Sequence, residues 1–159
     1  MAISGTMAEA DIVKFNNAIV EVDLLGTDVT WAALESWATM VEIDPGRVGD
    51  TEEKTLDGET HVIIDGILSA SMVRVTCFYT ENAATDPFIN IYDHLQTNKG
   101  GDFDVRWSAS DTADEYQFST VSGKLVYCTP PGYDANANQA QKFVFEVKTK
   151  NITRTTLTA

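Results

Sequence analysis

Apolar and polar residues alternate with a period of two in several well-separated segments, and only an extended strand sends successive side chains to opposite faces. From residue 18 to 24, Ala18, Val20, Val22 and Leu24 share one face while Glu21 and Asp23 take the other. Val73, Val75, Cys77 and Tyr79 oppose Met72, Arg74, Thr76 and Phe78. Phe103, Val105 and Trp107 alternate with Asp102, Asp104, Arg106 and Ser108, which predicts one greasy side and one charged or polar side. Phe143, Phe145 and Val147 oppose Val144, Glu146 and Lys148. Half-buried antiparallel strands produce this pattern.

Further strands are expected at residues 38–43 and 61–64. Residues 116–121 and 124–129 read as a hairpin closed by Ser122-Gly123, a turn signal of the two-residue kind. One segment departs from the β pattern. DPFINIYDHLQTNKGG places Asp86 at a helix N-cap and Pro87 at the first helical position, sets Phe88, Ile91, Tyr92 and Leu95 on one stripe, and stops at Lys99-Gly100-Gly101. His94 is placed on the side away from that stripe. The expected fold is mainly β: an antiparallel β-sandwich or barrel-like pair of sheets with one flanking α-helix, in a single domain over residues 1–159.

Residues 44–59, DPGRVGDTEEKTLDGE, hold almost no apolar side chains and include Pro45, Gly46, Gly49 and Gly58, so they read as a long polar loop or a mobile hairpin. Excursions of that length inside a compact domain are usually functional, or disordered until bound. Residues 130–141 read as a shorter surface loop. No internal repeat or interdomain linker is evident.

The 159 residues are 43% hydrophobic, enough for one domain that buries roughly 70% of its unfolded surface without staples. No membrane-spanning run occurs. The opening MAISGTMAEADIVKF lacks a basic region and an apolar core of signal-peptide length, so cytoplasmic synthesis is expected. Cys77 and Cys128 belong to no CxxC pair and read as reduced core thiols. The net charge of −13 is uneven: residues 1–69 carry fourteen acids against three bases, residues 140–159 one acid against four bases. Such a charge repels nucleic acid from any surface it lines, and the Lys and Arg residues are too scattered to form a basic stripe.

The catalytic inventory is thin. His61 and His94 sit in a strand and a helix as surface or partly packed residues, and neither Cys has a His near it in sequence; no GxSxG elbow, Walker motif or dinucleotide glycine pattern occurs. Asp134-x-Asn136-x-Asn138 imitates the start of a calcium loop, but Gln139 stands where glycine is needed and Phe145 where the bidentate Glu belongs. Asp102 and Asp104 share a strand face with Arg106, a cheaper counter-charge than a metal ion. Asn151-Ile152-Thr153 matches a glycosylation sequon, which means nothing without a secretory route. No enzyme, cofactor or metal site is expected. Trp31, Trp37 and Trp107 read as core or interface residues, with a stacking platform in a carbohydrate-binding β-sandwich module as the alternative.

The order of segments resembles that of bacteriophage tail tube proteins, the major tail proteins of long-tailed phages. It runs through an opening strand (NAIVEVDLLG), a Trp-containing second strand (ESWATMVEID), the polar excursion, the strands HVIIDG and SASMVRVTCFYTE, and one helix beginning DPFINIYDHLQ. The strand FDVRWSA, the segment YQFSTVSGKLVYC and a closing strand KFVFEVKTKNITRTTLTA follow. The resemblance implies a structural virion protein assembled in the host cytoplasm, whose hexameric rings stack into a conduit for genome delivery. It also implies an acidic bore passing double-stranded DNA without specific binding, and the tape measure, tail terminator and baseplate proteins as partners. Tube proteins of contractile tails and of type VI secretion share the architecture; the polar excursion and the short Thr-rich end favour the long-tailed kind. The excursion occupies the position of the family's loop between stacked rings, which makes Glu52, Glu53 and Asp57 candidate inter-ring contacts against Lys148, Lys150 and Arg154. Glu21, Asp23, Asp102 and Asp104 are the lumen candidates.

Overall fold

A computed structural model describes residues 18–46, 48–54, 61–80, 82, 86–132 and 140–157. In chain order the elements are β1 (Ile19–Asp23), β2 (Ala32–Ala33), β3 (Ala38–Asp44), β4 (Val48–Lys54), β5 (His61–Leu68), β6 (Ser71–Phe78), α1 (Pro87–Thr97), β7 (Asp104–Ser108), β8 (Tyr116–Val121), β9 (Lys124–Thr129), β10 (Lys142–Thr149) and β11 (Asn151–Thr156). A five-stranded sheet runs in the order β11-β8-β7-β1-β2 and a four-stranded sheet in the order β3-β6-β10-β9, with β4 and β5 pairing as a separate two-stranded sheet. All pairings are antiparallel.

The alternation read from the sequence sets the core. Val20 and Val22 of β1, Val73, Val75 and Cys77 of β6, and Phe143, Phe145 and Val147 of β10 are buried between the sheets with Phe103, Val105 and Trp107. Each large aliphatic or aromatic side chain taken from water contributes about 1.5–3 kcal/mol, so this shared interior holds the sheets together. Cys77 and Cys128 are unpaired and buried there. Burial pushes both thiols up to about 12, which leaves them protonated and unreactive at neutral pH.

The helix forms as expected. Asp86 caps it by accepting from the Phe88 N–H at 2.8 Å, and its other oxygen accepts from the Thr80 N–H at 2.7 Å, tying the chain after β6 to the helix start. Ile91 is buried, with Phe88 packed edge-on against Tyr79 and Phe143. His94 departs from expectation. Lying three residues after Ile91, it shares much of the inward face, and its ring sits 5.6 Å from that of buried Phe103.

Two expectations about strand connection are corrected. β8 and β9 do not form a hairpin: β8 pairs with β7 and β11, whereas β9 pairs with β10 in the other sheet. The closing segment is not one strand but two, β10 and β11, one in each sheet. Together these four strands form a two-stranded ribbon, β8–β9 against β10–β11, that bends from one sheet to the other at Ser122-Gly123 and at Thr149-Lys150. Buried Thr149 accepts from the Val121 N–H at 3.0 Å, and its hydroxyl lies 2.8 Å from the carbonyl oxygens of Val121 and Asn151. On the other arm the Gly123 N–H donates to Asp104 at 2.8 Å while its carbonyl accepts from Phe103 N–H at 3.0 Å. The bend therefore keeps its backbone groups paired.

The polar excursion takes the hairpin form. β4 and β5 pair from Lys54 opposite His61 to Val48 opposite Leu68, and continue β3 and β6 past the Gly46 N–H, which donates to Ser71 Oγ at 3.0 Å. Residues 55–60, and with them Asp57, lie outside the described residues, as does the Asp134-x-Asn136-x-Asn138 run.

Gly123 is the most constrained point of the bend. A Cβ there would stand 2.4 Å from Phe103 O, 2.7 Å from Asp104 Oδ1 and 2.9 Å from Val147 Cγ1, and the nearest of these is backbone that cannot swing away. Gly123→Ala is expected to cost about 1–3 kcal/mol through forced displacement of the packed corner, read as a lower urea midpoint with an unchanged slope. A midpoint equal to that of the parent would show that the corner is soft.

Candidate assembly surfaces

The residues singled out from the sequence fall into three environments. Asp23 and Asp104 are buried, which corrects their reading as lumen-facing acids. Asp104 ends its strand face at the corner and accepts from Thr120 Oγ1 at 2.6 Å and Gly123 N at 2.8 Å; Thr120 Oγ1 in turn accepts from Val105 N at 2.9 Å. Asp23 sits where β1 turns into the following loop and accepts from the N–H groups of Leu25, Thr27 and Asp28 at 2.9, 2.8 and 2.7 Å. Both carboxyl groups turn inward toward donors: for Asp23 these are the backbone N–H groups of the loop that follows β1, and for Asp104, at the start of β7, the Thr120 hydroxyl and the Gly123 N–H of the bend after β8. Ser108, also expected on the polar face, is buried at the far end of the same strand with its hydroxyl donating to Tyr116 O.

Glu21 and Asp102 stay nearer the surface, each with a cationic partner. Glu21 pairs across strands with Arg106, whose guanidinium lies 4.4 Å over the Trp31 ring, and exposed Asp102 pairs with Lys124. On the basic side, Lys148 and Lys150 are exposed at the ribbon bend, and exposed Arg154 stacks 4.4 Å over Tyr116. Glu52 and Glu53 lie on β4. Along the outer face of the four-stranded sheet Arg74 stands between Glu42 and Glu146 and bonds Glu146 at 2.6 Å.

The three tryptophans are spent on separate contacts. Trp107 is buried and stacks on Phe118, Trp31 lies under Arg106, and Trp37 packs against the core from its rim. Among the described residues no three His, Cys, Asp or Glu side chains converge to hold a metal ion.

Three surfaces suit contact with other chains, and only the edge strands follow from the general pattern. β3 and β11 are long edge strands without a partner on their outer side among the described residues. Unpaired edges invite pairing with another chain. The loop 24–31 projects Val29 at 80% exposure and Leu25 at 64%. A groove of about 570 Å³ opens between β3 and the inner ends of β1, β7 and β8, lined by Val20, Val41, Ile43, Trp107, Ala109 and Phe118 among others. Sequence reasoning missed the loop and the groove. Gly26, at φ 59°, marks the turn, but nothing in the sequence says that its apolar neighbours stay uncovered.

Several solved chains from tail and injection machines share this fold. A chain of the sheath/tube terminator of an extracellular contractile injection system in its extended state aligns over 97% of this chain and 99% of its own, with a TM-score of 0.66 at 11% identity. The tube terminating cap of the anti-feeding prophage aligns over 99% of this chain and 95% of its own, with a TM-score of 0.63 at 12% identity. A chain from the tail of an empty gene transfer agent particle, refined with C6 symmetry, aligns over 87% and 94%, with a TM-score of 0.56 at 8% identity. The chain has the fold of these tail components. No family model and no curated protein matches the sequence.

The Asp23 cluster makes a pH-dependent prediction. Burial works against the charged carboxyl, but the donors from Leu25, Thr27 and Asp28 outweigh it and hold the group below its ordinary 3.8. A carboxyl depressed in the folded state stabilises fully above its unfolded value and loses that contribution as pH falls through the folded one. Asp23→Asn is expected to cost about 1.5–3 kcal/mol at neutral pH. Denaturation across a pH series should show parent and variant converging as pH falls through and below 3.8. A gap that stays constant through that range would contradict the assignment.

Proposed function

We propose that the protein is a structural subunit of a tail tube, assembling with copies of itself into rings that stack into a conduit for DNA. The near-complete two-way fold alignment with a sheath/tube terminator chain carries this reading, because it spans almost the whole of both chains rather than a sandwich core alone. Six subunits per ring is the number in keeping with the C6 gene transfer agent tail. The role is structural rather than enzymatic, and its place is the virion tail, beside tape measure, terminator and baseplate proteins. The proposal covers tubes of long-tailed and of contractile particles alike.

In the ring, edge strands β3 and β11 pair with neighbouring subunits and extend the sheets around the bore. Glu21 and Asp102 remain the acids of the lumen wall, each partly neutralised by its cationic partner. A weakly negative wall lets DNA pass without sticking. Between rings, the β4–β5 hairpin with Glu52, Glu53 and Asp57 meets Lys148, Lys150 and Arg154. Exposed pairs contribute only about 0–1 kcal/mol each, so they set register while apolar and backbone contacts supply affinity.

Electron microscopy of the concentrated protein should show rings or filaments; a monodisperse monomer at every concentration would refute the assignment. Reversing Lys148, Lys150 and Arg154 together to Glu is expected to slow polymerisation at low salt, with partial recovery on reversing Glu52, Glu53 and Asp57 to Lys. Light scattering that superimposes on the parent at all salt concentrations would remove charge from the ring-to-ring contact.

A further inference from the structure

The loop 24–31 is rigid and greasy at once. Its start is clamped by the three N–H bonds to Asp23, Gly26 and Asp28 hold left-handed backbone at φ 59° and 58°, and its end is fixed by Trp31 under Arg106. A side chain at Gly26 would collide with Asp102, whose Cβ stands 2.5 Å from the position of a Cβ, so the loop rests directly on the segment before β7. These anchors hold Val29 and Leu25 out in solvent, at 80% and 64% exposure, instead of letting the loop fold them inward. A pre-ordered apolar knob loses little conformational entropy on docking, which favours contact with another surface.

The matching hollow lies on the same chain. The groove between β3 and the inner ends of β1, β7 and β8 is mostly apolar, and Ile43 on its wall is 46% exposed, so the sandwich is unsealed on this side. The opposite side is sealed by α1, through Phe88 against Phe143 and His94 against Phe103. Ala18, just before β1, lines the groove, and Asp23, at the other end of β1, clamps the loop. Knob and hollow therefore sit at opposite ends of one strand, about 17 Å apart for five residues of extended chain.

We propose that the groove of one subunit receives the Leu25 and Val29 loop of a second copy. A knob at one end and a hollow at the other allow a heterologous contact that propagates in one direction from subunit to subunit, and that is the form proposed; a reciprocal two-fold pairing would stop the cross-linked double variant at dimers. The proposal rests on the self-assembly reading above and adds the apolar contact that charge cannot supply.

Cross-linking tests it. Both natural thiols are buried and pushed up to about 12, so cysteines introduced at Val29→Cys and Ala109→Cys are the ones that oxidise at neutral pH. The double variant should give a ladder of multimers on a non-reducing gel, and each single variant should give monomer. Val29→Asp, at an exposed position that leaves the fold and its circular dichroism unchanged, should lower the assembled fraction about tenfold or more, since it sets a charge in an apolar hollow. Rings or filaments that form without the cross-link would overturn this contact and spare the tube assignment. Absence of both assembly and cross-link would overturn both. Dimers from Val29→Cys alone would show a two-fold contact instead, and an intrachain link between Phe15→Cys and Ala109→Cys with no ladder from the Val29 pair would give the groove to the chain's own leading segment.

Discussion

Backbone groups must stay paired where strands change sheets, and the architecture depends on how the bend at Gly123 and Thr149 meets that demand. Two strands leave the five-stranded sheet side by side and enter the four-stranded one as a ribbon. Each arm would strand its polar groups in the interior without local partners. The Thr149 hydroxyl serves Val121, and Asp104 with the Phe103 N–H serves Gly123. Because the same ribbon contributes Leu125, Cys128, Phe143, Phe145 and Val147 to the interior, the bend fixes how the sheets face each other. The β3–β4 and β5–β6 segments follow the same plan without reaching the second sheet, and so produce a projecting hairpin.

Periodicity made the individual strands and the helix legible, because side-chain alternation and the Asp86-Pro87 start are local properties of the sequence. Connection was not legible. Ser122-Gly123 has the composition of a hairpin turn, and only the packing of Phe103, Asp104 and Val147 around Gly123 turns it into a bend between sheets. Likewise the run from Lys142 to Thr156 keeps its strand character throughout, and the break at Lys150 is announced by no proline or glycine. Alternation also placed Asp104 and Ser108 outside, yet both lie at strand ends, where local hydrogen bonds override the two-residue period.

The acids show why composition overstates a surface field. Asp23, Asp86 and Asp104 are buried, and each anchors a change of chain direction: the loop after β1, the start of α1 and the sheet-to-sheet bend. Burying a carboxyl group is costly unless donors surround it, and each of these accepts two or more hydrogen bonds. Their contribution is to architecture. Part of the chain's negative charge is therefore spent inside the subunit, and of the four acids first taken as lumen candidates only Glu21 and Asp102 remain near the surface, both ion-paired.

With charge reduced in this way, the strength of any assembly must come from elsewhere. Surface ion pairs weaken with salt and contribute little individually, whereas a desolvated apolar contact keeps its worth across ionic strength. The proposed docking of loop into groove would supply such a contact in two halves, and β1 joins them as one stiff element whose ends are pinned by pairing with β7 and by the Asp23 clamp. A displacement at the groove would therefore be transmitted along β1 to the loop, because a packed strand moves as a body more readily than it stretches. Subunits joined through such a strand would share their alignment from one copy to the next, which is the mechanical property a long, straight conduit needs.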